Sequence, residues 1–391
     1  MTKTIKFISI LAGGALVLAS CDSNDIDPTN LDAKETAFKE IVTPYVNNTV
    51  IPTYKGMAEN AVLLAEACAT MQEKHESNTL AESDIKAACD AWLACRDYWE
   101  KSEAFLYGPA ADYNIDPHID SWPLDKVQME TLLKNISAGQ TWDAGTLGVG
   151  LLGFHATEYM IFELNEAGDK SQTHSTSYSA AELEYLCGVA DDLRDQCVYL
   201  YACWAGLDNI ANNYAEILEA AELEPTADGY GWQMVNAGQA GSIYKTYQAA
   251  VETLVQGCID IADEVGNTKI GTPNKAASAG SADAIEAAKN YIESPYSLNS
   301  IVDFVGNIVS IKNCYEGSKA GDASVSEYIK TVDANLDAKV KQLIEESMDV
   351  ISSIPEPFAE NATCEAANNA VVKVGEELVA ALEDVYAAIS K

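Results

Sequence analysis

His155 and Glu158 sit three residues apart inside an otherwise apolar run, Gly153-Phe154-His155-Ala156-Thr157-Glu158-Tyr159-Met160-Ile161-Phe162. At that spacing both side chains leave one helix face, with Cβ atoms about 5–6 Å apart. An imidazole nitrogen and a carboxylate oxygen then converge on one point, a mixed donor set suited to a divalent or trivalent metal ion. Gly153 lets another segment come close to the same helix. The plainer reading is structural, a core histidine donating to Glu158. Spacing alone leaves both readings open.

Two more stretches combine ligand-capable residues with an unusual local pattern. One runs from Arg96 through Glu103 to Phe105-Leu106-Tyr107-Gly108-Pro109, then into Ile115-Asp116-Pro117-His118-Ile119-Asp120-Ser121-Trp122-Pro123. The other runs from Glu293 through Ser297, Asn299 and Asp303 to Asn313 and Gly317. Arg96 is always protonated, so it is expected to hold a carboxylate by forked hydrogen bonds and not to bind metal. Ser300 and Asp303 have the spacing of a helix-capping pair. His118 lies in a polar stretch and reads as a solvent-exposed loop histidine.

The elements that must position these residues are helical almost throughout. Apolar positions recur at helical spacing in 32–73, 83–108, 124–135, 180–221, 234–265, 300–316, 323–353 and 363–389. Pro44 and Pro52 are expected to kink or break the first of these. Residues 107–123 exclude a regular helix and read as an ordered loop. Residues 266–282, rich in Gly, Ser, Ala and Lys, read as a flexible loop. No strand or hairpin signal stands out, so the class is all-α, most simply two helical bundles. The expected division is residues 35–222 for the first bundle and 223–391 for the second.

Residues 1–20 read as a secretory signal: Lys3 and Lys6, an apolar stretch from Phe7 to Leu18, then Ser20 before Cys21. The Leu-Ala-Ser-Cys ending resembles a bacterial lipobox, which implies lipid attachment at Cys21. Residues 21–34, acidic at Asp22, Asp25 and Asp27, form a tether. No later run is apolar enough to span a bilayer, so the mature chain is expected to be anchored and not spanning. Formal charge is −36, from 60 acidic against 24 basic residues, which disfavours nucleic acid and favours cations. The nine cysteines beyond Cys21 contain no Cys-x-x-Cys pair and read mainly as small buried hydrophobes.

Taken in order on an all-helical exported chain, these segments resemble the imelysin family. The acidic helix ending in Phe-Leu-Tyr-Gly-Pro, the Ile-Asp-x-Trp-Pro loop, Gly-x-His-x-x-Glu and Ser-x-Asn-x-x-x-Asp-Phe carry the resemblance over nearly the whole mature chain. It implies two helical bundles meeting at a cleft, faced by the His155 helix, in an envelope protein linked to iron uptake and first described as a metallopeptidase. The metal ligands implied are His155, Glu158, Glu103 and Asp120, with iron the foremost cofactor and zinc the alternative. Arg96, Trp122, Ser297, Asn299 and Asp303 are expected to line the cleft. An iron permease or another envelope protein is the partner expected.

Three functions follow. Metal binding for transport or sensing uses the imidazole and carboxylates directly. A metallopeptidase has less to build on, because neither His-Glu-x-x-His nor its inverted form occurs, and four histidines are scattered along the chain. A module binding a peptide or partner is the third, and Cys-x-x-Cys-His, the signature of covalent haem, does not occur.

Overall fold

The computed structural model describes residues 31–162, 176–278 and 280–391. The signal sequence, Cys21, most of the tether and His174 lie outside the described residues. Among the described residues every regular element is helical. Local chemistry sets many of the helix starts. Asp32, Ser179, Thr246, Ser281, Ser324 and Asp333 each accept a backbone N–H from the first turn they precede. Glycines with positive φ close two helices, Gly206 after Ala180–Ala205 and Gly317 after Ser300–Glu316.

In the first half, α1 (Ala33–Pro44) leads through a wide turn, Tyr45–Val50, into α2 (Ile51–Glu76). Pro44 and Pro52 bracket that turn, and the chain continues in helical sense instead of breaking. Helices α2, α3 (Glu82–Glu100) and the later α6 (Ala180–Ala205) pack side by side. Between them in sequence come α4 (Lys126–Ser137) and α5 (Gly153–Ile161). The second half gathers α7 (Tyr247–Asp263), α8 (Ser300–Glu316), α9 (Ala334–Ser352) and α10 (Val379–Ile389) around a common interior. Helix α1 leaves the first group to pack on α7, and its Phe38 ring lies 4.7 Å from that of Tyr328. The buried apolar side chains of both halves join in one cluster.

Several expected spans are divided. Gly206 ends the helix begun at Ala180, and a separate helix covers Asn212–Ala220. The span expected over 234–265 is a short helix, Gly229–Val235, followed after a turn by α7. Residues 107–123 hold two helical pieces, Pro109–Asp112 and Ile115–Ile119. The largest correction concerns 266–282. A wide turn, Glu264–Lys269, continues α7 into a helix, Gly271–Ser278, and Lys269 is buried at its junction. Composition suggested a loop, but Lys269 finds carboxylate partners inside that only the fold brings together.

Two glycines fix how the site elements meet. Gly153 has φ +72°, and a Cβ there would lie 2.1 Å from the carbonyl oxygen of Ile119. Helix α5 can therefore start directly against the residue before Asp120 only because position 153 has no side chain. Gly306 of α8 faces α3, where a Cβ would stand 2.7 Å from Cβ of Glu100. The two helices approach there closely enough for their polar side chains to pair.

Candidate metal centre

The last turns of α3 present Arg96, Trp99 and Glu100 to the interior, all buried. Helix α8 answers with Asp303, Asn307 and Ser310, spaced by four and three residues and so on one face. Asp303 Oδ2 accepts from Arg96 Nε at 3.3 Å, Asn307 Nδ2 donates to Glu100 Oε2 at 2.6 Å, and Ser310 Oγ accepts from Ala104 N at 3.0 Å. The expected capping role of Asp303 is overturned. The helix begins after Asn299 with no side-chain cap, and Asp303 turns inward to Arg96, Ser294 and Asn299.

Arg96 is the hub. Besides Asp303 it donates to Asp120 through Nη1 and to Glu293 through Nη2, the latter at 2.6 Å, and Nη2 lies 2.7 Å from Glu100. Its guanidinium also stacks 5.1 Å from the centre of the Phe154 ring. The forked carboxylate contact expected of Arg96 is thus present several times over. Lys269 forms a second hub, 3.2 Å from both Glu103 and Glu293.

His155 stands between two carboxylates. Its Nδ1 is 3.1 Å from Glu158 Oε2, and its Nε2 is 3.1 Å from Asp120 Oδ1. The second contact is close in distance but not aligned as a hydrogen bond, so Nε2 has no directed partner. Asp120 is otherwise held by Trp99 Nε1 at 2.7 Å. The other oxygen of Glu158 accepts from Tyr296 N, Ser297 N and Ser297 Oγ at 3.0, 2.8 and 2.7 Å. Ser297 thereby anchors Glu158 from a loop in which Ser294 and Leu298 both adopt left-handed backbone.

Five buried carboxylates (Glu100, Glu103, Asp120, Glu293 and Asp303) thus share two fixed cations, Arg96 and Lys269, and a sixth, Glu158, pairs with His155. Burial penalises unbalanced charge, so protons enter. It drives the carboxyls of Glu100 and Glu103 well above their usual range, against the pull of Arg96 on one and Lys269 on the other. Asp303 rises to about 6 for the same reason, although Arg96 opposes it. Asp120 goes the other way: burial would raise it, but Arg96 and His155 hold it far below the carboxylate range. Burial disfavours a charged His155, yet the carboxylates of Asp120 and Glu158 beside it lift it to about 9.

Three groups have oxygen or nitrogen atoms near enough to share one ion: Asp120 with His155 and Glu293, Glu100 with Glu103 and Asp120, and Glu100 with Glu293 and Asp303. Only the first includes a nitrogen donor. It also contains two buried atoms without a directed partner, His155 Nε2 and Glu293 Oε2. Such orphaned atoms are costly unless something fills the gap. The donor set therefore fits an ion of intermediate hardness such as iron or zinc.

Of the four ligands expected, His155 and Asp120 fall together in this group. Glu158 backs the imidazole from behind, and Glu103 lies on the Lys269 side. A cavity of about 580 Å³ opens above, with His155 on its floor and Trp122 in its wall. Arg96, Ser297, Asn299 and Asp303 are buried instead of lining that cavity. His118 is half-buried and pairs with Asp192 at 2.7 Å, away from the exposed role expected of it. Glu100 and Lys269 were not singled out from sequence, and Glu293 opened one of the ligand-capable segments without being given a role. Glu100 carried a usable signal, being four residues from Arg96 on one helix.

An all-helical chain whose His-x-x-Glu helix meets carboxylates from distant segments defines a class, and comparison gives it a family. Residues 50–387 match the family Imelysin, and the chain belongs to it. "Iron-regulated protein A" of Synechococcus elongatus is 25% identical over 377 residues, spanning 95% of this chain and 89% of that one. A crystal structure from Parabacteroides distasonis, described as an iron-regulated protein A precursor, superposes with a TM-score of 0.76 at 29% identity, over 91% of this chain and 95% of that one. An imelysin-like protein from Psychrobacter arcticum shares the fold at a TM-score of 0.54 and 13% identity, over 91% and 93% of the two chains.

Proposed function

We propose that this protein binds a metal ion, iron foremost, at His155, Asp120 and Glu293, and serves iron uptake or its regulation. The observation that carries this is the grouping of an imidazole, His155, with the buried carboxylates of Asp120 and Glu293, close enough to share one ion, with His155 Nε2 and Glu293 Oε2 each lacking a directed hydrogen bond. A cation there would do the neutralising now left to protons on neighbouring acids. Glu158 would orient the imidazole through Nδ1, the usual place for a supporting carboxylate. The Synechococcus and Parabacteroides relatives are both named for regulation by iron, which supports iron as the setting. Peptide hydrolysis has weaker support, because it needs an open metal position with a base poised over it. Here one histidine and two fixed cations crowd the same carboxylates.

The reading includes export and a lipid anchor at Cys21. Among the described residues no helix is long and apolar enough to cross a membrane. Cys21→Ala should release the protein from the membrane fraction, and a variant that still sediments with membranes would refute the anchor. For the metal, elemental analysis of protein purified without a metal-binding tag should find an ion. Iron or zinc should raise the melting temperature of wild type by mass action. In His155→Ala that increment should vanish. Absence of both the ion and the increment in wild type would end the metal reading.

A further inference from the structure

A metal ion held by three side chains needs little space, yet the cleft above His155 encloses about 580 Å³. That volume is typical of pockets for whole organic ligands, roughly 300–1,000 Å³. Its walls carry Trp122, Ile292, Pro295 and Tyr296, surfaces suited to a flat or apolar body.

The charges at its edge point the same way. Lys126, Lys289 and Asp125 border the cleft. Asp125 is already engaged, accepting from Gln128 N at 2.9 Å and Gln128 Nε2 at 2.6 Å to cap α4. Neither lysine has a carboxylate within ion-pair distance among the described residues, although the chain carries a net charge of −36. Lys126 Nζ instead lies over the rings of Tyr296 and Tyr159, 4.6 and 5.3 Å from their centres. Although Lys126 is exposed to solvent, the desolvation it meets at the cleft edge lowers its affinity for its proton, against the pull of Glu158, so a nearby anion would relieve it. Two lysines against the single ionised carboxylate of Asp125 leave the entrance net positive, which repels a bare cation and attracts an anion.

We propose that the cleft admits the metal as a small anionic chelate of a catechol-type organic ligand. Lys126 and Lys289 meet its charge, the faces of Trp122 and Tyr296 meet its rings, and His155 lies where the metal arrives. The inference rests on the metal reading of His155 and adds to it the form in which the ion is carried.

The test uses the full mature chain and two probes, the iron(III)–catechol complex followed by its visible absorption and bare iron(II). Wild type should bind the complex. The double variant Lys126→Gln, Lys289→Gln, altered only at exposed side chains, should bind it about tenfold more weakly while keeping its affinity for bare iron. Added salt should narrow the gap between wild type and double variant, since both charges are exposed. Equal binding of the complex by both proteins, or wild type binding bare iron but not the complex, overturns the chelate proposal and leaves the metal reading standing. If the complex binds in a lysine-dependent way, but equally to His155→Ala, and bare iron does not bind, the cleft proposal stands without metal ligation by His155. Should wild type bind neither probe, both readings fall.

Discussion

The two sides of the buried carboxylate cluster differ in how their charges are met. On the α3–α8 side, Arg96 alone touches Glu100, Asp120, Glu293 and Asp303. Asn307 and Ser294 take further oxygens there, at 2.6 and 2.5 Å. On the cleft side, His155 Nε2 and Glu293 Oε2 are buried with no directed partner. Gaps occur on both sides, since Glu100 Oε1 and Asn307 Oδ1 are also buried with no directed partner, but on the first side a guanidinium that never loses its charge lies 2.7 Å from the Glu100 oxygen. The difference is in the cation: a permanent guanidinium, joined to four carboxylates, suits structure on the Arg96 side, and a titratable imidazole that can give up its proton suits ligand binding on the His155 side, within one connected cluster.

Removing Arg96 should break the structural side with the largest effect. Arg96→Met leaves four buried carboxylates with only Lys269 beside Glu100 and Glu293 and only His155 beside Asp120, and stripping one partner from a buried charge cluster costs about 3–5 kcal/mol. Chemical denaturation without metal should show that loss, or the variant should fail to fold. A change below about 1 kcal/mol would mean that the carboxylates rearrange freely, and the division into two sides would not hold.

Acidity gives a second, smaller discrimination. His155 is lifted to about 9 and Asp303 to about 6, so the folded protein holds more protons than the unfolded chain at these two positions. For His155 the stabilisation is fully present below the ordinary imidazole value near 6.5 and lost as pH rises through about 9. The Asp303 contribution is lost earlier, between about 4 and about 6. The metal-free protein should therefore lose stability between pH 5 and pH 9, by roughly 4 kcal/mol. His155→Ala should flatten the part above pH 6.5. Bound metal should oppose the trend, because ligation needs the imidazole neutral and strengthens as protons leave. Melting curves across pH, with and without iron, would show the two slopes; a metal-free protein that gains stability up to pH 9 contradicts the assignment.

How much of this could be seen in the chain depended on the range of each interaction. His155 with Glu158 is a local pair, and Gly153 announces a close approach whose partner proves to be Ile119. The helical class was equally legible, since periodicity is local. Glu293 reaches Arg96 across 197 residues, and Lys269 reaches Glu103 across 166. No spacing rule spans such distances. Lys269 was hidden further by its neighbours, whose Gly and Ser content matches an exposed loop. Asp303 misled for the opposite reason: a local rule, capping, offered a sufficient role, while a long-range pairing with Arg96 prevailed.

Glu158→Gln should change stability least and sharpen the comparison most. Three donors converge on Glu158 Oε1, and a glutamine carbonyl oxygen can still receive them. The cost in stability should stay within about 1 kcal/mol. With its carbonyl so committed, the glutamine must turn its NH₂ group toward His155 Nδ1. Nδ1 then has to accept, so a neutral imidazole carries its proton on Nε2, the atom facing Asp120 and Glu293. The lone pair offered to a metal disappears without loss of any side chain from the group. Metal affinity should fall by about 10- to 100-fold, the usual range for a supporting residue. Nitrogen NMR of the labelled imidazole should show the proton moving from Nδ1 to Nε2 in metal-free protein above pH 9. A variant that keeps both the tautomer and the wild-type affinity would show that Glu158 does not orient the ligand, and would leave its bond to His155 as packing alone.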